Sequence, residues 1–253
     1  MKFWKYTSAG NDFIVFDEHH NLDAKELTLI CDRRFGVGAD GVLIFKDSVE
    51  FDFEMIYFNS DGGQVEMCGN GARALCHFAK SHKSINKSKL SFRTLNGIYH
   101  AEFLGENLIK MKMTEINFPA MNLEDLVFGQ IAYIEVGVPH IVILGQEYDE
   151  SLARKIRYDS RFPNGVNVNF VNQKEKNNYN ICTYERGVEG KTLACGTGIT
   201  AAGAFLAKLE TADNCKFNFF SQGGEFCVEY SCPCYYLTGT TQLVFSGNLE
   251  NKE

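Results

Sequence analysis

Apolar runs and alternating patterns mark strands along much of the chain. Val42–Phe45 is a short continuous apolar run, and Glu54–Phe58, Leu108–Met113 and Ile131–Val136 carry apolar or alternating patterns. Such patterns fit strands with at least one face on a core. Two stretches differ: Asn70–Lys80 and Gly198–Leu209 are rich in Ala and Leu and predict helices. Each begins just after a Cys-Gly-x-Gly, so the motif sits where a strand or loop turns into a helix, in a mixed α/β chain.

The pattern is written twice. When the sequence is slid by 127 positions, Gly10, Ile14 and Val15 fall on Gly137, Ile141 and Val142, and Asp32, Arg34, Phe35 and Gly38 fall on Asp159, Arg161, Phe162 and Gly165. Tyr57 meets Tyr184, while Cys68, Gly69 and Gly71 meet Cys195, Gly196 and Gly198. Phe78, Phe92, Gly97 and Glu102 meet Phe205, Phe219, Gly224 and Glu229, all in one register without a gap. A period this long is not a solenoid's. It predicts two homologous α/β domains, with a boundary near Asn117 to Asn122, where Pro119 interrupts the pattern.

Composition narrows the function classes. The 253 residues are 45% hydrophobic and 23% charged, an ordinary globular balance. The net charge of −7, with no basic patch, gives no support to binding nucleic acid or an anionic membrane. The N-terminal MKFWKYTSAGNDF lacks the apolar core of a signal peptide, and no apolar run reaches the length of a membrane span. A cytoplasmic location is expected. The nine cysteines are an odd number, so full internal pairing is impossible. Cys31, Cys76, Cys182, Cys215 and Cys227 are expected to be buried small hydrophobes. Cys232 and Cys234 form a Cys-Pro-Cys with no second ligand pair at matching spacing, so no metal is expected there.

The remaining two cysteines carry the chemistry. A helix start exposes unpaired N–H groups and partial positive charge, and glycine lets a ligand approach the backbone closely. In MCGNGAR and ACGTGIT the amides after each cysteine are thus placed to cradle a substrate carboxylate, and the same field is expected to lower the thiol pKa. Two such motifs in repeat register predict a cleft with a thiol on each side. Inverting a stereocentre by proton transfer needs this, because a proton leaves one face and another arrives on the opposite face. The expected function is amino-acid epimerisation between Cys68 and Cys195, with the carbanionic intermediate held by helix amides.

AGNDF (9–13), DRRFGVGADG (32–41), FNSDGGQVEMCGNGAR (58–73), GVPH (137–140), NGVNVNF (164–170) and YERGVEGKTLACGTG (184–198) resemble diaminopimelate epimerase, in the right order over almost the whole chain. The wider superfamily includes proline racemase, which usually has His where this chain has Asn70 and Pro where it has Ala194. The resemblance implies two pseudo-symmetric α/β domains, each a mixed sheet wrapped around a central helix, with the active site in the inter-domain cleft. It implies that the C-terminal strand returns to the first domain, giving domains of 1–118 with about 241–253, and 119–240. It further implies interconversion of LL- and meso-diaminopimelate without pyridoxal phosphate or any other cofactor, in lysine and peptidoglycan-precursor synthesis, with a homodimer as the assembly.

Carried over residue by residue, Cys68 and Cys195 are the acid/base pair. Gly69 with Asn70, and Gly196 with Thr197, form the amide cradles. Asn11, Asn59, Asn167 and Arg186 hold the substrate, and Glu185 and His140 tune the thiols or hold the reacting amine. A guanidinium fork suits a carboxylate, and Asn both donates and accepts toward a zwitterion. Three positions depart from the family: Val138 replaces an Asn before Pro139, Gly41 stands where some members have Gln, and Lys191 replaces an acidic residue. These leave two alternatives: a racemase of another amino acid, such as histidine, on the same scaffold, and a non-catalytic thiol redox or binding protein.

Overall fold

The computed structural model describes residues 1–18, 20–127, 129–211 and 213–250. It is a mixed α/β fold in which one topology occurs twice. The first unit is Met1–Met111 with the C-terminal segment from Gly239, and the second is Lys112–Thr238.

In the first unit, β1 (Lys2–Ser8) and β2 (Asn11–Phe16) are antiparallel, and α1 (Ala24–Cys31) leads to β3 (Gly41–Lys46), parallel to β2. β4 (Phe53–Asn59) pairs antiparallel with β3 and with the two-residue β5 (Gln64–Val65). The long helix α2 (Gly69–His82) follows, then β6 (Lys89–Thr94) parallel to β4, and β7 (Gly97–Phe103) and β8 (Leu108–Lys112) in antiparallel succession. Every residue of α2 from Asn70 to Ala79 is buried. A helix buried all round has no solvent face, so the sheet encloses it instead of lying along one side. Phe13, Leu43, Phe45, Phe53 and Phe92 from the strands form one core cluster with Leu75 and Phe78 of α2.

The second unit opens with β9 (Ile116–Asn117) on β10 (Gln130–Val136), so the segment after Met111 already pairs within it, ahead of Pro119. The order of the first unit then recurs. β10 and β11 (Val138–Leu144) are antiparallel, α3 (Glu150–Arg157) leads to β12 (Asn167–Glu175) parallel to β11, and β13 (Asn178–Glu185) is antiparallel to β12 and to β14 (Gly190–Thr192). Helix α4 (Gly196–Glu210) is buried from Gly198 to Ala207, and β15 (Asn214–Ser221) runs parallel to β13 and antiparallel to β16 (Gly224–Ser231). β17 (Cys234–Thr240) follows, and β18 (Gln242–Asn248) pairs antiparallel with β1 of the first unit. The C-terminal strand expected over about 241–253 extends past the described residues at 251–253.

The repeat is visible at glycines because the backbone needs them there. Gly10 and Gly137 have φ of 89° and 70°, and Gly38 and Gly165 have 84° and 71°, left-handed values that side chains resist. Both helices start earlier than their Ala and Leu content suggests, at Gly69 and Gly196. The cause is that Cys68 and Cys195 are themselves the N-caps, with extended φ, ψ of −138°, 115° and −123°, 106°. Of the five cysteines expected to be buried, Cys31 and Cys76 are, but Cys182, Cys215 and Cys227 are only half-buried. Cys182 and Cys227 sit on strands between the buried pairs Ile181 and Thr183, and Phe226 and Val228, so the pleat turns them to the opposite face. Among the described residues, no helix is long and apolar enough to cross a membrane.

Helix α4 lies close against β16. A Cβ at Gly203 would sit 2.4 Å from Val228 Cγ1 and 2.6 Å from its Cβ. Gly203→Ala should therefore lower stability by about 1–3 kcal/mol through overpacking, outweighing the roughly 1 kcal/mol that alanine gains in a helix. Val228→Ala in the same chain should restore part of the loss. Denaturant unfolding measures both, and a Gly203→Ala protein as stable as its parent contradicts this packing.

Candidate active site

In the first unit, the N-terminus of α2 points at a cysteine. Cys68 Sγ accepts a hydrogen bond from the Gly71 amide at 3.4 Å, so the first turn turns a backbone donor on the sulfur. A Cβ at Gly71 would press on Leu43 at 3.0 Å, so glycine here lets the helix start lie on the sheet. At Gly69 a Cβ would meet no described atom within 4 Å, so the chain's own packing leaves the backbone there open to approach.

The neighbouring polar residues form one chain. Arg73 Nη2 donates to Asn70 Oδ1, Asn70 Nδ2 donates to Asn11 Oδ1 at 2.5 Å, and Asn11 Nδ2 donates to Asp40 Oδ2 at 3.1 Å. Arg33 clamps both oxygens of Asp12, at 2.8 and 2.7 Å, and reaches Asp40 at 2.9 Å. Lys5 adds a bond to Asp12 at 2.7 Å and another to the Gly38 carbonyl oxygen. Burial pushes the Asp12 carboxyl up, but the hydrogen bonds from Arg33 and Lys5 outweigh it and hold it down at about 2. Asn11 and Asn70 are thus fixed by a charged network anchored in β1, β2 and the 32–40 loop. Asn59 is exposed at the end of β4, opposite Gly41 in the β3–β4 register.

Arg73 went unnoticed in the sequence. It is fully buried on α2. Burial pulls its guanidinium down to about 10, and the sulfur of Cys68 acts electrostatically in the other direction. It therefore remains a cation at neutral pH and favours a negative sulfur at Cys68. The available signal was an arginine in the Ala- and Leu-rich first half of the helix, five residues after the cysteine.

The second unit presents the equivalent cysteine in different surroundings. Cys195 is buried, with Thr197 Oγ1 3.4 Å from its Sγ. The sequence predicts a lowered thiol pKa here, and the structure corrects that. Burial raises the Cys195 thiol to about 12 and the charge of Glu185 adds to the rise, while Thr197 and the amides of Thr197 and Gly198 pull it down without prevailing. Desolvation disfavours the thiolate more than the helix start favours it. Glu185 is itself pushed up by burial. Gly196 carries its Cα 's missing side-chain position 3.2 Å from Leu237 Cδ2.

Asn167 and His140 are buried. Asn167 Nδ2 donates to the Pro139 carbonyl oxygen at 3.2 Å, and its Oδ1 accepts from the Arg186 amide at 2.8 Å, tying β11, β12 and the end of β13 together. Burial, helped by the charge of Arg186, pulls His140 down to about 3, so its imidazole is neutral. Arg186 Nη1 donates to the Asn164 carbonyl oxygen at 3.1 Å, and the side chain lines a cavity of about 610 Å³ with Asn117, Tyr133, Glu135 and Val138. Of the expected site residues, only Arg186 lines that cavity. The first unit thus gathers Asn11, Asn70 and Cys68, and the second gathers His140, Asn167, Glu185, Arg186 and Cys195.

The departures have local causes. A Cβ at Gly41 would lie 2.5 Å from the Phe58 carbonyl oxygen and 2.6 Å from Tyr57 Cε2, so this backbone excludes a glutamine. Lys191 places its ammonium 5.2 Å from the centre of the Tyr148 ring. Val138 opens β11 and gives the cavity an apolar wall.

Comparison with known proteins places the chain in a family. The family model for diaminopimelate epimerase matches residues 3–119 and 132–244. A diaminopimelate epimerase of Flavobacterium psychrophilum is 36% identical, covering 97% of this chain and 98% of that protein. One from Methanocella arvoryzae is 35% identical, covering 99% and 97%. Among solved structures, a phenazine biosynthesis protein of the PhzF family from Bacillus anthracis superposes with a TM-score of 0.77 at 15% identity, covering 99% of both chains. A hydroxyproline epimerase from Agrobacterium vitis gives 0.66 at 14% identity, covering 98% of this chain and 91% of that one. These two show the fold alone. The family match and the full-length relatives establish that this chain belongs to the diaminopimelate epimerase family and is an isomerase.

Proposed function

We propose that this protein interconverts LL- and meso-diaminopimelate by two-cysteine acid/base catalysis, supplying lysine and peptidoglycan-precursor synthesis in the cytoplasm. The observation that carries the reading is that Cys68 and Cys195 are both N-caps of the buried central helix, at equivalent positions of the repeated topology.

In this mechanism one sulfur, as thiolate, takes the Cα proton: the C–H bond breaks and an S–H bond forms. The other, as thiol, delivers its proton to the opposite face, and the roles exchange in the reverse reaction. The reading requires the two units to present these sulfurs to opposite faces of one carbon. Charge that builds on the substrate carboxylate is taken up by the amides of Gly69 and Asn70 and of Gly196 and Thr197. The buried cation Arg73 interacts electrostatically with the sulfur of Cys68, whereas burial and Glu185 raise the Cys195 thiol. This acid/base sequence is complete without a cofactor or metal. Asn11, Asn59, Asn167 and Arg186 hold the rest of the zwitterion, and the active assembly is a homodimer.

A second reading, racemisation of another amino acid such as histidine, draws on Val138 and Gly41, which remove polar contacts common in the family. The half-buried Arg186 guanidinium, covered by an apolar side chain instead of a carboxylate, would lose about 1–3 kcal/mol of hydrogen bonding. That is tenfold or more in selectivity, and it favours diaminopimelate.

Cys68→Ala and Cys195→Ala should each lower epimerase kcat by roughly 10²- to 10⁴-fold or more, measured by the appearance of meso-diaminopimelate. Full activity in either variant sinks the mechanism. Arg186→Lys should cut kcat/KM for LL-diaminopimelate about tenfold or more, since an ammonium does not reproduce the guanidinium fork. The same assay with L-histidine, L-lysine and L-proline separates the two readings. A clear preference for any of these three overturns the substrate while leaving the two-thiol chemistry standing.

A further inference from the structure

Asn169 of β12 lies fully buried beside the start of α4. Its Nδ2 is 2.9 Å from the Ile141 carbonyl oxygen and 3.2 Å from His140 Nδ1, and its Oδ1 accepts from Thr183 Oγ1 at 2.9 Å. The orientation of this amide follows from its partners. A backbone carbonyl has only lone pairs to offer, so the atom facing Ile141 is the nitrogen, and turning the amide over would set two oxygens against each other. One amide hydrogen goes to Ile141, and the other is directed at His140 Nδ1, which therefore accepts it. A neutral imidazole carries a single N–H, and with Nδ1 accepting, the proton resides on Nε2. Nε2 is buried and meets no hydrogen-bond partner among the described residues.

Packing holds Asn169 in this pose. A Cβ at Gly198 would lie 2.2 Å from Asn169 Oδ1 and 3.4 Å from Cys195 Sγ, so the amide and the thiol flank the same point at the start of α4. Glycine at 198 is what gives the amide its room.

We propose that Asn169 is a positioning residue that locks His140 in its Nε2–H tautomer, so that His140 serves the reaction as a hydrogen-bond donor to an anion. In that state it neither takes a proton as the base nor holds an ammonium, since the one nitrogen with a lone pair is already engaged. The tautomer stands on the geometry above. The identity of the anion, the substrate carboxylate, rests on the proposed epimerase mechanism.

Long-range ¹H–¹⁵N correlation spectra of the full-length protein labelled at histidine nitrogen, with His140 assigned through His140→Gln, read the tautomer directly. The expected spectrum at neutral pH has Nδ1 bare and Nε2 protonated. An Nδ1–H tautomer or an imidazolium in the unmodified protein overturns the proposal whatever the enzyme's substrate, so its failure and that of the epimerase reading are distinguishable. Asn169→Asp offers Nδ1 an acceptor instead of a donor and should move the proton to Nδ1. Its kcat should fall by roughly tenfold or more, with 10⁴-fold the upper mark set by a catalytic histidine forced into the wrong tautomer. Retention of the Nε2–H pattern in that variant overturns the role of Asn169. Adding LL-diaminopimelate to the Cys68→Ala protein should shift the Nε2–H resonance, as a donor to the substrate carboxylate requires. A resonance that does not move overturns the donor role.

Discussion

Each central helix is enclosed by a sheet and begins at a cysteine, so the electrostatics of the first helical turn act on sulfur within a packed interior. Two opposing effects meet there. Backbone amides at a helix start favour negative charge, and loss of water disfavours it. At Cys195 burial prevails, aided by Glu185, and the thiol is raised to about 12. At Cys68 the same turn has a buried cation, Arg73, and an amide donor from Gly71. The repeat supplies two like positions, and the residues around them make the positions chemically unlike. A two-base mechanism benefits from that difference, because it needs one sulfur with a proton and one without.

The polar networks that hold these positions are built differently in the two units. In the first, the chain from Arg73 through Asn70 and Asn11 ends in a salt-bridged cluster of Asp12, Asp40, Arg33 and Lys5. In the second, neutral groups carry the load: Asn167 and Asn169 bond to backbone carbonyls of β11, and Thr183 completes the amide of Asn169. Buried neutral amides avoid the desolvation that buried ions suffer, and they fix orientation through unambiguous donors and acceptors.

Much of this was legible in the sequence. The duplication showed at glycines because Gly10, Gly38 and their equivalents Gly137 and Gly165 take up left-handed backbone, which restricts substitution. The strand runs at Val42–Phe45 and Ile131–Val136 lie inside β3 and β10, and both helices appear where Ala and Leu gather. What sequence could not supply was environment. The sign of the thiol shift at Cys195 depends on how much of the unit surrounds it, which no motif encodes. Arg73 and Asn169 looked like ordinary residues of a helix and a strand. Their importance comes from three-dimensional neighbours, Asn70 and Cys68 in one case, His140 and Gly198 in the other. Gly41, which lacks the side-chain contact some members have, also sits where the β3–β4 pairing leaves no space for a side chain.

The central claim is that two different sulfurs serve the two faces of one carbon. The most direct test is the initial-rate reaction of LL-diaminopimelate in D₂O, with deuterium at Cα followed separately in product and in recovered substrate. Two-base inversion delivers a solvent-derived deuteron to the new face, so meso product carries Cα deuterium while unreacted LL substrate remains unlabelled at early times. Equal early labelling of substrate and product, the signature of one base returning its proton to either face, would contradict the account, as would meso product that retains the original hydrogen.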